Sequence, residues 1–156
     1  MTIPLFLLAA ACALDPDADQ AAGYVADLQP VLFENAALAD RVLALSVSAT
    51  EKKSSPEQIR KAWDDEIVPL AEHLHDQASF VRAPSAWAES HAQLVDLWGD
   101  RASAYRALSI AIEEGDEKRW RDARALADGV KLHEEEWFRG ANQRLADWHL
   151  AVDPYP

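Results

Sequence analysis

A single cysteine, Cys12, is the whole thiol content of the 156-residue chain. An intramolecular disulfide, a CxxCH haem attachment and a cysteine-based zinc site are therefore excluded. Glycine is scarce, with five residues, and no Gly-rich loop that could cradle a phosphate is present. Basic residues are outnumbered 15 to 27, for a net charge of -12. Such a chain is repelled by phosphate backbones and anionic headgroups, which argues against nucleic-acid binding. No Ser/His/Asp triad can be assembled from residue patterns, and one Met with five scattered His offers haem little support.

What remains is ordinary material for a packed protein. The apolar fraction is 49%, and six Trp supply bulky core side chains. A chain of this length is one domain and buries roughly two thirds of its unfolded surface without a covalent or metal staple. Ala, Leu, Glu, Asp and Arg dominate, a helix-leaning mixture. The acidity is uneven. From Cys12 to Thr50 there are six acids, Asp15, Asp17, Asp19, Asp27, Glu34 and Asp40, against Arg41 alone. A solvated surface is the plain explanation, and a docking face for a basic partner the sharper one.

The N-terminus reads as an address. Met1–Leu14, MTIPLFLLAAACAL, carries no charged side chain before Asp15. It is shorter than the ~20 residues a bilayer crossing needs, and it suits the apolar region of a secretory signal. Its end, Leu8-Ala9-Ala10-Ala11-Cys12, resembles the lipobox of bacterial lipoproteins, with small residues before the cysteine. Ala9 stands where that family usually has Leu, and no Lys or Arg precedes the run. The resemblance implies cleavage before Cys12, diacylation of its thiol and a membrane tether of two chains, enough for stable anchoring. An ordinary cleaved signal, an apolar tail packed on the fold, and an extension of the first helix, which Pro4 and Pro16 disfavour, are the competing readings. Residues 1–11 are then a signal peptide, 12–19 a polar tether, 20–150 the folded body and 151–156 a tail.

Four helical stretches are expected in that body. The first, about Asp19 to Thr50, carries a stripe of Tyr24, Leu28, Val31, Leu38, Val42 and Leu45, with Asn35 on it. Pro30 predicts a kink or a late start. Ser55-Pro56-Glu57-Gln58 is a strong helix start, with Ser as cap, Pro at the first helical position and Gln to close a capping box. The second stripe is Trp63, Ile67, Leu70, Leu74, Gln77 and Val81, with a bend near Glu66 because of Pro69. The third helix runs from about Ser85 to Glu114, on a stripe that includes Trp87, His91, Leu94 and Trp98. Gly115 and Asp116 then match a C-cap and an N-cap. The fourth runs from about Glu117 to Leu150 through Trp120, Val130, Trp137, Leu145 and Trp148. Short connections imply antiparallel neighbours, hence an all-α, up-down-up-down, antiparallel four-helix bundle.

Few residues in these helices can carry chemistry. Glu72 and His75 have the i, i+3 spacing of di-iron bundles. Such a site needs a second Glu-x-x-His, but Val130 stands three before His133 and Ala88 three before His91. His91 lies on the third stripe, where folding about Ala83-Pro84 brings Gln77 to its level. The expected arrangement is a core histidine bonded to Gln77, with a ligand pocket as the alternative. In His133-Glu134-Glu135-Glu136 one acid, Glu134, can approach the seam. His133 and Glu136, again at i and i+3, are candidates for loose binding of a divalent cation. Asn35 suits a register-fixing role. No metal or other cofactor is firmly implied.

These features point to a non-enzymatic protein of the cell envelope, exported and held at a membrane through Cys12, that binds a partner protein or an envelope component. The alternative is a helical bundle binding a metal or small ligand through His91, Gln77, His133 or Glu136.

Overall fold

Pro16 opens the first helix. Its fixed φ suits the first helical position, and the Asp15 carboxylate caps the turn by accepting the Asp17 N–H at 3.0 Å. This computed structural model describes residues 15–153. Cys12 and the signal-like segment lie outside the described residues, as do residues 154–156. Residues 16–19, expected in the tether, are already helical. The helix α1 (Pro16–Thr50) runs without interruption through Pro30. Pro30 and Ala26 both face solvent, so the Ala26 carbonyl that loses its partner is open to water and the helix need not break there.

The next rod is built from α2 (Pro56–Ala62), a π turn at Trp63–Ile67 and α3 (Val68–Phe80). Its start has the full capping box: Gln58 N–H to Ser55 Oγ at 3.2 Å, and Ser55 N–H to Gln58 Oε1 at 2.8 Å. The bend expected near Glu66 takes the form of the π turn, in which Val68 N–H reaches back to the Trp63 carbonyl. Pro69 has no N–H, and its ring crowds the Asp65 carbonyl, so widening the preceding turn relieves the clash. The wide turn also changes the helical phase of α3. Its buried positions are Val68, Ala71, Leu74 and Ala78, while Leu70, Gln77 and Val81 of the expected stripe are only half-buried.

Trp87 ends the turn that reverses the chain, and α4 (Ala88–Glu114) comes next. Gly115 adopts φ +66°, a left-handed cap that a Cβ would strain. Asp116 then caps α5 (Glu117–Leu145) by accepting the Arg119 N–H at 3.0 Å. This is the hairpin that the Gly-Asp pair predicts. α5 ends five residues earlier than expected, in a 3-10 turn at Ala146–Trp148. The segment after it is docked: Val152 is buried, and its backbone N–H and carbonyl both bond the Asn142 amide, at 2.8 and 3.0 Å.

The four rods form an all-α bundle with α1, α2–α3, α4 and α5 alternating in direction. No strand occurs among the described residues, and no helix there is long and apolar enough to cross a membrane. The core holds Leu28, Leu32, Leu74, Leu94, Trp98 and Leu145, all almost fully buried. Each such side chain contributes on the order of 1.5–3 kcal/mol by leaving water. Indole N–H groups tie the rods together as buried Trp requires. Trp63 donates to the Tyr105 carbonyl, Trp137 to the Ser90 carbonyl and Trp148 to the Asp15 carboxylate. α3 and α4 approach closely at Gly99, where a Cβ would lie 3.2 Å from the His75 ring.

Candidate functional site

His91 is a core histidine, and its partners differ from those expected. It is 7% exposed, with Nε2 3.0 Å from the Ala78 carbonyl and Nδ1 3.0 Å from the Tyr24 hydroxyl. A carbonyl can only accept, so Nε2 carries the proton and Nδ1 takes the Tyr24 hydrogen. Burial holds the imidazole pKa below its usual value, against the opposing pull of the Ala78 carbonyl. Both ring nitrogens are engaged, which leaves none for a ligand. Gln77 does not reach His91. The phase change at the π turn carries it to the surface, where its amide nitrogen lies 2.8 Å from His73 Nε2 and 3.4 Å from Glu34 Oε1.

Glu72 and His75 also turn outward. Glu72 pairs with Arg106 of α4, and His75 packs over Gly99. Among the described residues no three His, Cys, Asp or Glu side chains are grouped to hold a metal ion. His133 and Glu136 of α5 are both exposed. They border an open groove of about 680 Å³ between α4 and α5, whose rim also carries Glu89, Asp96, Asp100 and Arg144.

The centre of the bundle holds a charged cluster that the sequence shows only in part. Glu134, the acid expected near the seam, is 8% exposed and accepts from Trp98 Nε1 at 2.8 Å, Arg101 Nη1 at 3.2 Å and Asn35 Nδ2 at 3.3 Å. Asn35 thus keys α1 to α5 as a register-fixing residue does. Sequence reasoning misses Arg101. It sits three residues after Trp98, at the edge of the α4 stripe, and that spacing is its only signal. Its guanidinium lies 5.3 Å from the Trp98 ring. Arg101 Nε and Nη2 and Asn35 Oδ1 are buried without a protein partner.

A more enclosed cavity lies at the other end of α1. Beyond Leu38 no residue of α1 is fully buried, because this part of the helix stands off the bundle. A cleft of about 360 Å³ opens there among all four rods. Val42 and Leu45 of α1, Trp63 of the π turn, Tyr105 and Leu108 of α4, and Trp120 of α5 form its walls. Trp120, expected in the core, is 41% exposed at the rim. Polar wall groups are largely spent: Trp63 Nε1 on the Tyr105 carbonyl at 2.8 Å, Ser46 Oγ on the Val42 carbonyl at 2.8 Å, and Thr50 Oγ1 on the Ser46 carbonyl at 2.8 Å. Among the described residues the one cation lining it is Arg124. Its volume falls within the range of small-molecule sites, and its walls carry few polar groups.

The chain matches no protein-family model, no curated protein and no solved structure. The class its geometry defines is an all-α bundle with a filled half and an open, apolar half.

Proposed function

We propose that the protein is a non-enzymatic, exported helical bundle of the cell envelope, tethered to a membrane by lipid on Cys12, that binds an apolar envelope component in the cleft between α1 and α5. The observation that carries this reading is the cleft. Its walls are aliphatic and aromatic, and its hydroxyls and its buried indole already have partners, so it can hold an apolar body by burial of surface. The lipobox-like run supports the tether. Only Ala13 and Leu14 separate Cys12 from Asp15, the cap of α1. The cleft lies at the far end of that helix, about 40 Å along its axis at 1.5 Å per residue.

The tether is tested in the native host. Labelled palmitate should be incorporated and should vanish in Cys12→Ser. A mature mass showing cleavage at another position would remove the anchor. Binding is tested by extracting protein purified without detergent into organic solvent and identifying what is released. Absence of any co-purified lipophile, together with failure of every added apolar probe to bind, would remove the cleft from consideration.

A further inference from the structure

From the rim of the cleft we infer that its ligand is a single-chain amphiphile with an anionic oxygen headgroup, the chain lying between α1 and α5 and the head on Arg124. This rests on the cleft being a binding site, as proposed above. Arg124 holds Asp128 through Nε alone, which lies 3.0 Å from each carboxylate oxygen. Its two terminal amino groups have no further protein partner among the described residues, and both members of the pair border the cleft. Those amino groups form the fork that grips a carboxylate in two parallel bonds.

The existing ion pair is a weak competitor. Both side chains are more than half exposed, and exposed i, i+4 pairs hold little free energy. Asp128 also keeps the rim near neutral, so Arg124 can take one anionic head but does not invite polyanions. No unpaired buried donor lies deeper on the walls, which leaves the interior to hydrocarbon. The position of the cleft favours one chain over two. With α1 rooted near the membrane at its other end, a ligand reaches the cleft through water. A single-chain acid makes that crossing far more readily than a two-chain lipid, since each added CH₂ costs about 0.8 kcal/mol to expose.

The test uses the full chain carrying Cys12→Ser, kept free of detergent, and three probes with twelve-carbon chains: dodecanoate, dodecanol and dodecyltrimethylammonium, each below its micelle concentration or solubility limit. Binding is read by calorimetry and by Trp fluorescence. Dodecanoate should bind about tenfold or more tighter than the other two, the margin of a charge-assisted hydrogen bond. Arg124→Gln should erase that preference and leave dodecanol binding unchanged. Asp128→Asn should strengthen dodecanoate. Ala127→Phe, or Ala49→Trp if the first does not fold, should block all three by filling the cleft. Equal binding of dodecanol or of the cation, or a preference that survives Arg124→Gln, would overturn the headgroup assignment while the cleft stands. Failure of all three probes to bind would remove the cleft itself.

Discussion

The Tyr24 hydroxyl donates to Nδ1 of His91, sixty-seven residues along the chain, and so fixes the tautomer of an imidazole whose other nitrogen holds the Ala78 carbonyl. Three rods meet at this point: α1, α3 and α4. Burial pushes the Tyr24 pKa far above its ordinary value, so the hydroxyl stays a donor across the working pH range.

This arrangement predicts a loss of stability in mild acid. The His91 pKa is lowered in the folded state, chiefly by burial. The contribution of the neutral ring is therefore complete above the unfolded pKa near 6.5. It declines as pH falls from that value through the lower folded one, because the unfolded chain takes up the proton first. Urea unfolding at pH 8, 6.5 and 5 should show the decline, and a His91→Leu variant should show less of it. An NMR titration placing His91 above 6.5 would contradict the assignment. Tyr24→Phe should cost about 1–3 kcal/mol at pH 7, since it leaves Nδ1 buried and unpaired.

The Glu134–Arg101 pair yields a second prediction, in which single and double variants part company. Arg101→Met strands a buried carboxylate and should cost about 3–5 kcal/mol, whereas removing both charges together, Arg101→Met with Glu134→Gln, should cost less, because the Gln carbonyl still accepts from Trp98 Nε1 and Asn35 Nδ2. The check is a double-mutant cycle in urea. Equal losses in the single and double variants would mean that the carboxylate is not buried as described.

Much of this fold is legible in the chain, because its signals are local. Ser55, Pro56 and Gln58 write a capping box, and Gly115-Asp116 writes a turn, from side-chain chemistry alone. Asn35 and Glu134 are visible as polar residues on or beside apolar stripes. The placement of Gln77 is not legible. A 3–4 spacing runs unbroken through Trp63, Ile67, Leu70, Leu74 and Gln77, and only the π turn forced by Pro69 changes which residues face inward. The cleft is hidden for a related reason. Val42, Leu45 and Leu108 continue the stripes of their helices, and periodicity records which face is apolar but not whether opposing faces meet. Arg101 is masked by its charge, since a guanidinium enters a core only where a carboxylate such as Glu134 awaits it.

The α4–α5 turn offers a test of backbone strain free of packing. Gly115 has φ +66°, and a Cβ built there meets nothing within 4 Å. Gly115→Ala should therefore cost about 1 kcal/mol through conformation alone, and Gly115→Asn less, because Asn tolerates the left-handed region. Thermal melts of the two variants should fall in that order. A loss well beyond this for Ala would point to a contact that the cap geometry does not contain.

Asn142 decides whether the chain beyond α5 belongs to the folded body. Its side-chain amide bonds both backbone groups of Val152, and the Val152 side chain is 1% exposed. The stretch between them includes Trp148, whose indole reaches the Asp15 carboxylate at the cap of α1 at 3.0 Å. Asn142→Leu keeps the helix and much of the volume but removes two hydrogen bonds. At about 0.5–1.5 kcal/mol each, it should cost about 1–3 kcal/mol. The loss should be local first: amide exchange should accelerate at Val152 and in the first turn of α1, while the Gly115 hairpin keeps its protection. An unchanged melting point together with unchanged exchange at Val152 would show that Asn142 does not hold this segment in place. Acceleration at Val152 without any at α1 would show that the Trp148–Asp15 bond does not transmit the docking of the C-terminal segment to the root of the first helix.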